Sequence, residues 1–472
     1  MFEKWIRAAF PKLQVIYDKM PYVIQNLLTS IRGYVLTRMR YQPLFWEFLD
    51  GLLEREKLSP DKLIQYQSEQ LNALIKYCYE NTHFYRKQFS KLGLKISDIQ
   101  ETSDLLKIPL LTRESVRANW QDLISTSTNK TIKVYTSGTS GSGIPCIYDE
   151  IVIVQNWAYQ ARQRIWANVY PRDWRITMFG NKVVPVARRK PPFWTYNYPE
   201  KQILLSIFHI SEANKDYYIN FLQNHTGMVI EGFPTVLNII ADFIIQENKS
   251  IPMKAVFTTA EPLYPFIRDK IERAFSTKVY DSYGMTELVG LIQECKEGKY
   301  HLISDYGILE VLDEDGQPLS QNEEGYLVWT GLINLAMPLI RYQIGDKGMW
   351  EIEQTCPCGK PFPLVHPTIT RDSDYLMTID GRILSPRAVN QVLKNKMSFQ
   401  VCQFVQKNQD TVVLRVVPGK GNLQHDVNEV QRALQELLGN GMNILFEKAT
   451  EPIRRGQQGK IPLIISDLGR IG

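Results

Sequence analysis

The sequence has little of several features that mark whole classes of protein. It has only six cysteines in 472 residues, too few for a disulfide framework in a chain of this length. It has no uninterrupted apolar run of about 18 residues, because the best candidate, residues 236–245, contains Asn238 and Asp242. The first residues also lack the apolar stretch of a secretory signal. We therefore expect a cytoplasmic protein without a transmembrane segment.

The chain also lacks a strong charge of either sign. It has 55 basic and 50 acidic residues, a net charge of +5, which suits a phosphate-bearing substrate but does not indicate a nucleic-acid partner. Residues 1–42 are more basic, because their lysines and arginines are opposed only by Glu3 and Asp18. This segment predicts either peripheral contact with an anionic membrane surface or a solvated helix face.

The apolar pattern predicts an α/β fold. Residues 63–92 have apolar positions at helical spacing, and Ser59 followed by Pro60 indicates where the helical region begins. Between residues 228 and 281, three short apolar runs alternate with two amphipathic segments, which is typical of parallel strands connected by helices. Ligands of such sheets bind at the carboxyl ends of the strands, so we expect the chemistry there. Beyond about residue 375, two strands and an amphipathic helix predict a small α+β unit.

The first chemical motif is residues 134–145, Val-Tyr-Thr-Ser-Gly-Thr-Ser-Gly-Ser-Gly-Ile-Pro, which follow a short apolar run. Glycines let consecutive backbone N–H groups converge and hydroxyls add donors, so this loop can hold phosphates. It does not end in the Gly-Lys-Ser/Thr of a Walker loop, so positive charge must come from elsewhere. A flexible loop without a ligand is the alternative.

Three further segments carry residue types that suit nucleotide chemistry. In residues 280–287, Tyr-Asp-Ser-Tyr-Gly-Met-Thr-Glu, a ring can stack on a base, a threonine can bond phosphate and a glutamate can bind Mg²⁺. In residues 338–346, Asp346 follows a tight turn and can hold ribose hydroxyls, although Arg341 and Asp346 could equally form a surface salt bridge. In residues 456–462, Lys460 can supply a cation during the reaction or can remain idle in solvent.

A separate set of residues offers metal ligands: Cys295, His301, Cys356 and Cys358. Three thiolates and one imidazole are the ligands of a closed tetrahedral zinc site, and Gly359 allows the two neighbouring sulfurs to face one point. The spacing is not that of a standard zinc finger, so buried free cysteines beside a hydrogen-bonded histidine are the alternative. We predict a structural zinc ion, because four protein ligands leave no open position for catalysis.

In their order along the chain, these motifs resemble the adenylate-forming superfamily of acyl-CoA synthetases and adenylation domains. The order is a Ser/Thr/Gly loop, Tyr-Gly-x-Thr-Glu, Arg-Tyr-x-x-Gly-Asp, a domain-boundary arginine and a late Gly-Lys. The resemblance spans nearly the whole chain from about residue 60. It is greatest to the phenylacetate-CoA ligase-like branch, which includes members associated with capsular polysaccharide synthesis. Residues 231–235 and 258–263 also resemble that branch.

The resemblance implies the domain organisation. It implies a large adenylation domain with several sheets at residues 1–369, of which residues 1–60 are a helical extension. A hinge at residues 370–374 would join it to a small mobile α+β domain at residues 375–472. The hinge departs from the family's pattern, because Ser373 occupies the position of the usual hinge acid and leaves the pivot residue open.

The resemblance also implies a role for each motif residue. Lys460 would bridge the carboxylate and the α-phosphate, Thr286 would contact the α-phosphate, Glu287 would bind Mg²⁺ and Arg371 would mark the domain boundary. Asp346 would hold the ribose, and Tyr283, followed by Gly284, would stack on adenine. Ala260 and Glu261 would border the adenine, with Ala260 replacing a common glycine and narrowing the pocket. The loop that holds the phosphates would comprise Thr136, Ser137, Gly138, Thr139, Ser140 and Gly141.

The expected function is activation of a small carboxylic acid by ATP and Mg²⁺ to an acyl-AMP, followed by transfer to coenzyme A. One alternative is transfer to an amine or hydroxyl of a glycan precursor, and another is a non-catalytic nucleotide-binding scaffold. An aromatic or apolar acyl group is suggested by Phe179, Trp194, Phe233 and Tyr264. The sequence is compatible with a homodimer but does not determine the oligomeric state.

Overall fold

The computed structural model of the chain describes residues 16–128, 130–136, 143–261, 263, 265–367, 376–384, 388–389, 391–393, 396, 398–418, 421–451, 453, 463–466 and 468. The hinge predicted at residues 370–374 lies outside these residues, so its position stays a prediction. Among the helices that the structure describes, none has the length and apolar character needed to cross a membrane.

The N-terminal part of the chain is helical, as predicted. The Ser59 hydroxyl accepts a hydrogen bond from the Lys62 N–H and Pro60 occupies the first turn, so the helix begins where the sequence indicates. Thr82 divides the helical stretch, because its backbone is extended and its hydroxyl accepts from the Tyr85 N–H. The helices are α1 (Tyr22–Arg40), α2 (Pro43–Arg55), α3 (Pro60–Asn81), α4 (His83–Leu92), α5 (Arg113–Asn119), α6 (Glu150–Trp166), α7 (Lys215–Gln223), α8 (Pro234–Gln246), α9 (Pro265–Phe275) and α10 (Leu423–Leu438).

The strands form several sheets, which together with the helices make an α/β protein. Their bounds in the first part of the chain are β1 (Leu111–Thr112), β2 (Ile132–Tyr135), β3 (Pro145–Tyr148), β4 (Arg175–Met178), β5 (Trp194–Asn197), β6 (Gln202–Leu205), β7 (Val229–Gly232), β8 (Ala255–Thr259), β9 (Val279–Gly284), β10 (Leu291–Glu294) and β11 (Tyr300–Leu302). The later strands are β12 (Gly307–Leu312), β13 (Gly325–Gly331), β14 (Tyr342–Trp350), β15 (Val365–Pro367), β16 (Leu376–Met377), β17 (Ile383–Leu384), β18 (Phe399–Asn408), β19 (Thr411–Pro418), β20 (Asn443–Lys448) and β21 (Ile464–Ser466).

The largest sheet has the strand order β11-β10-β9-β8-β7-β4-β6-β5. Its central strands β6, β4, β7, β8 and β9 are parallel, so the predicted succession of strand, helix, strand, helix and strand is confirmed as β7, α8, β8, α9 and β9. The strands are buried almost throughout, and α8 packs Leu237, Ile240 and Ile244 into the same core. The carboxyl ends of these strands therefore meet at one edge of the sheet.

A second sheet has the order β1-β14-β13-β12, with β15 paired to β14. The hairpin of β2 and β3 flanks the predicted phosphate loop, with Tyr135 opposite Pro145. Trp329 of β13 is completely buried in the core of this region. Tyr342 and Asp346, from the motif in residues 338–346, lie in the first half of β14 and therefore belong to this sheet.

The C-terminal unit is α+β, as predicted. Strands β18 and β19 pair antiparallel, and the sheet has the order β20-β19-β18-β21. Helix α10 buries one stripe of apolar residues. It ends before Gly439, because the φ of +93° at this glycine is incompatible with a right-handed helix. The unit contacts the segment that follows β6 through Arg382, whose guanidinium donates to the Phe208 carbonyl (2.7 Å). The same guanidinium donates to the Leu437 carbonyl (2.9 Å) in α10 of its own unit.

Candidate nucleotide site and cysteine cluster

The candidate site lies where β8 and β9 end. These strands are parallel neighbours, and Thr259 of β8 is paired with Ser282 of β9. The segments that follow them therefore leave the sheet side by side. One contains Ala260 and Glu261, and the other contains residues 285–287, directly after Tyr283 and Gly284 at the end of β9. The structure thus brings two sequence-predicted motifs to the carboxyl edge, where parallel sheets bind ligands.

Tyr283 joins the second motif to the third. Its hydroxyl donates a hydrogen bond to Oδ2 of Asp346 at 2.8 Å, and its ring stacks near Trp329 at a centroid distance of 6.3 Å. Gly345 has a φ of +92°, a conformation that favours glycine, and this turn places Asp346 beside the tyrosine. A ring and a carboxylate held together at one edge suit a base and a ribose, the two parts of an adenosine.

Glu287 is held in the same way by a residue of the third motif. Its side chain is 3% exposed, and Oε1 accepts a hydrogen bond from the Tyr342 hydroxyl at 2.8 Å. Burial raises the pKa of Glu287, while the bond from Tyr342 and the charge of Arg113 act in the opposite direction. A carboxylate oxygen is a ligand that Mg²⁺ accepts, so the chemistry of Glu287 fits the predicted metal role.

The hairpin of the predicted phosphate loop is tied to this edge. The Tyr148 hydroxyl, at the end of β3, donates to the backbone carbonyl of Thr286. The stem of the loop is closed by Thr136, which exchanges bonds with Ile144: its N–H donates to the carbonyl at 3.0 Å and its hydroxyl accepts at 2.9 Å. A Cβ at Gly143 would lie 2.3 Å from the Thr136 carbonyl oxygen, so this glycine is required.

Several predicted site residues lie outside the described residues. They are Ser137, Gly138, Thr139, Ser140 and Gly141 of the loop, together with Arg371 and Lys460. Their roles stay predictions.

Two described residues of the family motifs are strained. Ala260, where a glycine is common in the resembled family, is exposed and has a φ of +76°, in the left-handed region that favours glycine. Arg341 has a φ of +50° and is buried. Its guanidinium pairs with Glu310 (2.9 Å) and donates to the Ile108 carbonyl, so it stabilises the second sheet and does not pair with Asp346.

The residues that hold the site residues in place are not indicated by the sequence motifs. Tyr342 lies inside the Arg-Tyr-x-x-Gly-Asp motif, but the motif does not show which side chain it bonds. Asp281 is another case, because it is buried and accepts from the Thr258 hydroxyl at 2.6 Å and the Tyr300 hydroxyl at 3.0 Å. It precedes Tyr283 by two residues and fixes β9 to β8. No local pattern distinguishes a buried, bonded aspartate from an exposed one.

The four predicted metal ligands come together. Cys295 follows β10 and His301 lies in β11, while Cys356 and Cys358 belong to the loop between β14 and β15. All four ligand atoms lie within 4.8 Å of one another. The Cys295 and Cys356 sulfurs are 3.7 Å apart, and the Cys358 sulfur is 3.3 Å from His301 Nε2.

The surroundings of His301 favour metal binding. Its Nδ1 lies 3.0 Å from the carbonyl oxygen of Phe362, which can only accept, so Nδ1 carries the proton and Nε2 presents a lone pair to the sulfurs. A histidine that binds zinc through one ring nitrogen typically donates a hydrogen bond from the other nitrogen to a carbonyl or carboxylate oxygen. Gly359 has a φ of +77°, and its N–H donates to the Cys356 carbonyl, which forms the turn between the two neighbouring cysteines. The donor set therefore fits zinc.

The chain is similar to known proteins in sequence and in fold. Residues 376–467 match the family model of the CapK C-terminal domain. Protein CapK of Staphylococcus aureus is 26% identical over 92% of this chain and 95% of its own length. Phenylacetate-coenzyme A ligase of Thermus thermophilus is 26% identical over 75% of this chain and 78% of its own. A crystal structure of 2-hydroxyisobutyryl-CoA ligase with 2-HIB-AMP and CoA, 18% identical, superposes with a TM-score of 0.56 over 88% of this chain and 92% of that one.

Proposed function

Because the chain belongs to the adenylate-forming superfamily, we propose that it activates a carboxylic acid with ATP and Mg²⁺ and transfers the acyl group to coenzyme A. The first half-reaction would form an acyl-AMP and release pyrophosphate. The second would form a thioester. The phenylacetate-coenzyme A ligases among its relatives, and the fold shared with a CoA ligase, support this reaction class.

The observation that carries the proposal is the pair of bonds between the second and third motifs. Tyr283 bonds Asp346 and Tyr342 bonds Glu287, so residues more than fifty positions apart are arranged as two linked pairs at one edge. In the proposed complex, Tyr283 would stack on adenine and Asp346 would accept from the ribose hydroxyls. Glu287 would bind the Mg²⁺ that accompanies the phosphates, and that ion would supply charge neutralisation.

The residues outside the described part complete the proposal. The loop of residues 136–141 would donate backbone N–H and hydroxyl groups to the phosphates. It contains no cation, so Lys460 would supply positive charge to the α-phosphate when the carboxylate attacks. The small domain would then rotate about the hinge near Arg371 for thioester formation. This division of labour rests on the sequence motifs.

The acyl group would bind beside the nucleotide, at the same edge of the sheet. Phe179 follows β4 and Phe233 follows β7, two parallel neighbours, and their rings meet edge to face at a centroid distance of 5.0 Å. This pair favours an aromatic or apolar acid. Trp194 is less suited to the role, because it packs against Phe221 on the far edge strand β5. Tyr264 lies outside the described residues.

We propose in addition that the cysteine cluster binds a structural zinc ion. The four ligands would close its coordination sphere and join the β10–β11 hairpin to the loop before β15. The zinc would stabilise the fold and take no part in the reaction.

A panel of carboxylic acids, with pyrophosphate release as the readout, tests the proposal. The wild-type chain should release pyrophosphate with at least one acid in the presence of Mg²⁺ and ATP, and Asp346→Ala should reduce this rate about a hundredfold. Asp315→Ala, in an exposed turn of the second sheet, is the matched control and should leave the rate unchanged. Absence of Mg·ATP binding by calorimetry up to millimolar concentration would reject the phosphate-binding role of the loop.

The acceptor is the second question that this assay answers. A thioester that appears only with coenzyme A supports the proposed ligase. Pyrophosphate release that depends on the acid but is unaffected by coenzyme A would favour transfer to an amine or hydroxyl, for instance on a precursor in capsular polysaccharide synthesis. Nucleotide binding without turnover of any acid would favour a scaffold. A cytoplasmic location stays a prediction.

A further inference from the structure

Helix α1 is amphipathic, but its polar face packs on the protein and its apolar face is exposed. Its inner face is polar and packs on the edge strand β5 of the large sheet. Asn26 accepts from the Tyr196 N–H at 2.7 Å, and Ser30 donates to the Tyr196 carbonyl at 3.1 Å. Gly33 approaches so closely that an added Cβ would lie 1.7 Å from Asn197 Oδ1. The polar face therefore fixes the helix to the sheet and covers its edge.

The outer face of α1 is apolar and exposed to solvent. Val23, Leu27 and Ile31, one turn apart along the helix, are 77%, 58% and 52% exposed. Their apolar neighbours on the same side, which also extend to α2, are Ile24, Leu28, Tyr34, Val35, Met39 and Trp46. A surface helix of a globular protein normally packs its apolar stripe against the core of the protein. Here the stripe is turned away, and a contiguous patch of this kind marks an interaction surface.

The charged side chains of helix α1 itself are all of one sign. Helix α1 contains no acidic residue, and Arg32 and Arg38 lie exposed among the apolar side chains. Lys19, just before the helix, adds a third exposed cation. If two copies of this face met around a twofold axis, like charges would oppose one another. An anionic lipid surface offers the complementary charge, and arginines can extend their heads to phosphates while apolar residues enter the acyl region.

We propose that the outer face of α1 docks the protein onto an anionic membrane surface. The helix would lie in the plane of the headgroups, with Leu27 and Ile31 inserted and the arginines paired with lipid phosphates. Tyr34 and Trp46 are amphipathic rings of the kind found at membrane interfaces. The bonds from Asn26 and Ser30 would hold β5 on the opposite side of the helix, so docking would fix the orientation of the large sheet toward the membrane. This proposal is independent of the reaction.

Vesicle flotation with the full chain tests the docking. The protein should float with vesicles of phosphatidylcholine and phosphatidylglycerol and remain below with vesicles of phosphatidylcholine alone. Leu27→Gln/Ile31→Gln should reduce the bound fraction at least about tenfold. Arg32→Gln/Arg38→Gln should weaken binding about fivefold per charge and remove most of its dependence on salt. The control Ile64→Gln/Ile352→Gln changes two exposed isoleucines elsewhere and should bind as wild type.

Two results would overturn the proposal. One is equal flotation, or none, for the wild-type chain and Leu27→Gln/Ile31→Gln. The other is a dimer in sedimentation velocity that this double variant dissociates, without flotation of the wild-type chain, which would assign the face to contact between copies. Circular dichroism should show that the variants keep the wild-type helix content, since both substitutions lie on the solvent side.

Discussion

The hydroxyl of Tyr342 donates a 2.8 Å hydrogen bond to Oε1 of the buried Glu287. This bond crosses from the second sheet to the edge of the first. Burial raises the pKa of the Glu287 carboxyl group, and the bond from Tyr342 lowers it. The bond therefore favours the ionised form, which is the form that can bind Mg²⁺. The pairing gives Tyr342 a positioning role in the proposed site.

We expect Tyr342→Phe to weaken the binding of Mg²⁺ by an amount that varies with pH. Without the bond, the pKa of Glu287 rises further, so less carboxylate is ionised near neutral pH. The apparent KM for Mg²⁺ should rise about tenfold at pH 6.5 and less at pH 8.5, where the group ionises again. Tyr326→Phe, on the neighbouring strand β13, should change neither value. An increase of equal size at both pH values would contradict a role through ionisation.

The backbone at Ala260 leads to a second prediction, on stability. A φ of +76° costs an alanine about 1 kcal/mol, which a glycine avoids at the expense of a more flexible unfolded chain. Ala260→Gly should therefore unfold within about 1 kcal/mol of wild type, while Ala260→Val should lose about 2 kcal/mol. Urea titrations measure both. The control Ala255→Gly, in the buried strand β8, should be less stable than wild type. A marked loss in Ala260→Gly would mean that its methyl group is needed.

The local parts of the fold could be predicted from the sequence, because periodicity and turn residues are local signals. The alternation that became β7, α8, β8, α9 and β9 and the hairpin of β18 and β19 are of this kind. The pairing of β4 with both β6 and β7 depends on contacts between distant segments, which no window of sequence contains.

The candidate site was predictable to the same extent. The motif order predicted which residues would converge, and Tyr283 and Asp346 do so. It did not show that Tyr342 would bond Glu287 or that Arg341 would pair with Glu310, because hydrogen-bond partners are chosen by geometry. Helix α1 makes the same point, since its periodicity indicates two unlike faces and cannot tell which one meets the protein.

A third prediction concerns the cysteine cluster. Protein purified without chelator should contain about one equivalent of zinc, and Cys356→Ser should lose it together with part of the thermal stability, while turnover at a permissive temperature changes less. Elemental analysis and thermal unfolding measure these quantities. Cys78→Ser, which changes a buried free cysteine of α3, should keep the zinc. Less than roughly a tenth of an equivalent in the wild-type protein would reject the zinc site and favour free thiols.

A fourth prediction separates the two proposed half-reactions. Lys460→Ala should slow acyl-AMP formation about a hundredfold or more, because its charge acts on the transition state of that step, while ATP binding is nearly retained. Thioester formation from supplied acyl-AMP should persist, since the C-terminal segment would have moved away. Lys448→Ala, at the end of β20, is the control. Equal loss of both steps, or of neither, would contradict the role of Lys460.

The last prediction concerns stability at acid pH and the role of His209. This histidine follows Phe208, whose carbonyl accepts the hydrogen bond from Arg382. The imidazole is buried, accepts from the Ser206 hydroxyl at Nδ1 and donates from Nε2 to the Pro185 carbonyl, so its neutral form is fully bonded. Burial and the charges of Arg382 and Arg188 lower its pKa to about 4. The unfolded chain takes up a proton near pH 6.5, but the folded chain does so only near pH 4.

Stability should therefore be full above pH 6.5 and fall as the pH drops from 6.5 toward 4, with about 3 kcal/mol at stake for this one group. His209→Gln cannot be protonated, so its unfolding free energy should vary less over this window even if it is lower at pH 7. Urea unfolding of both proteins at several pH values gives the comparison. Parallel pH profiles for wild type and His209→Gln would show that other groups cause any acid instability.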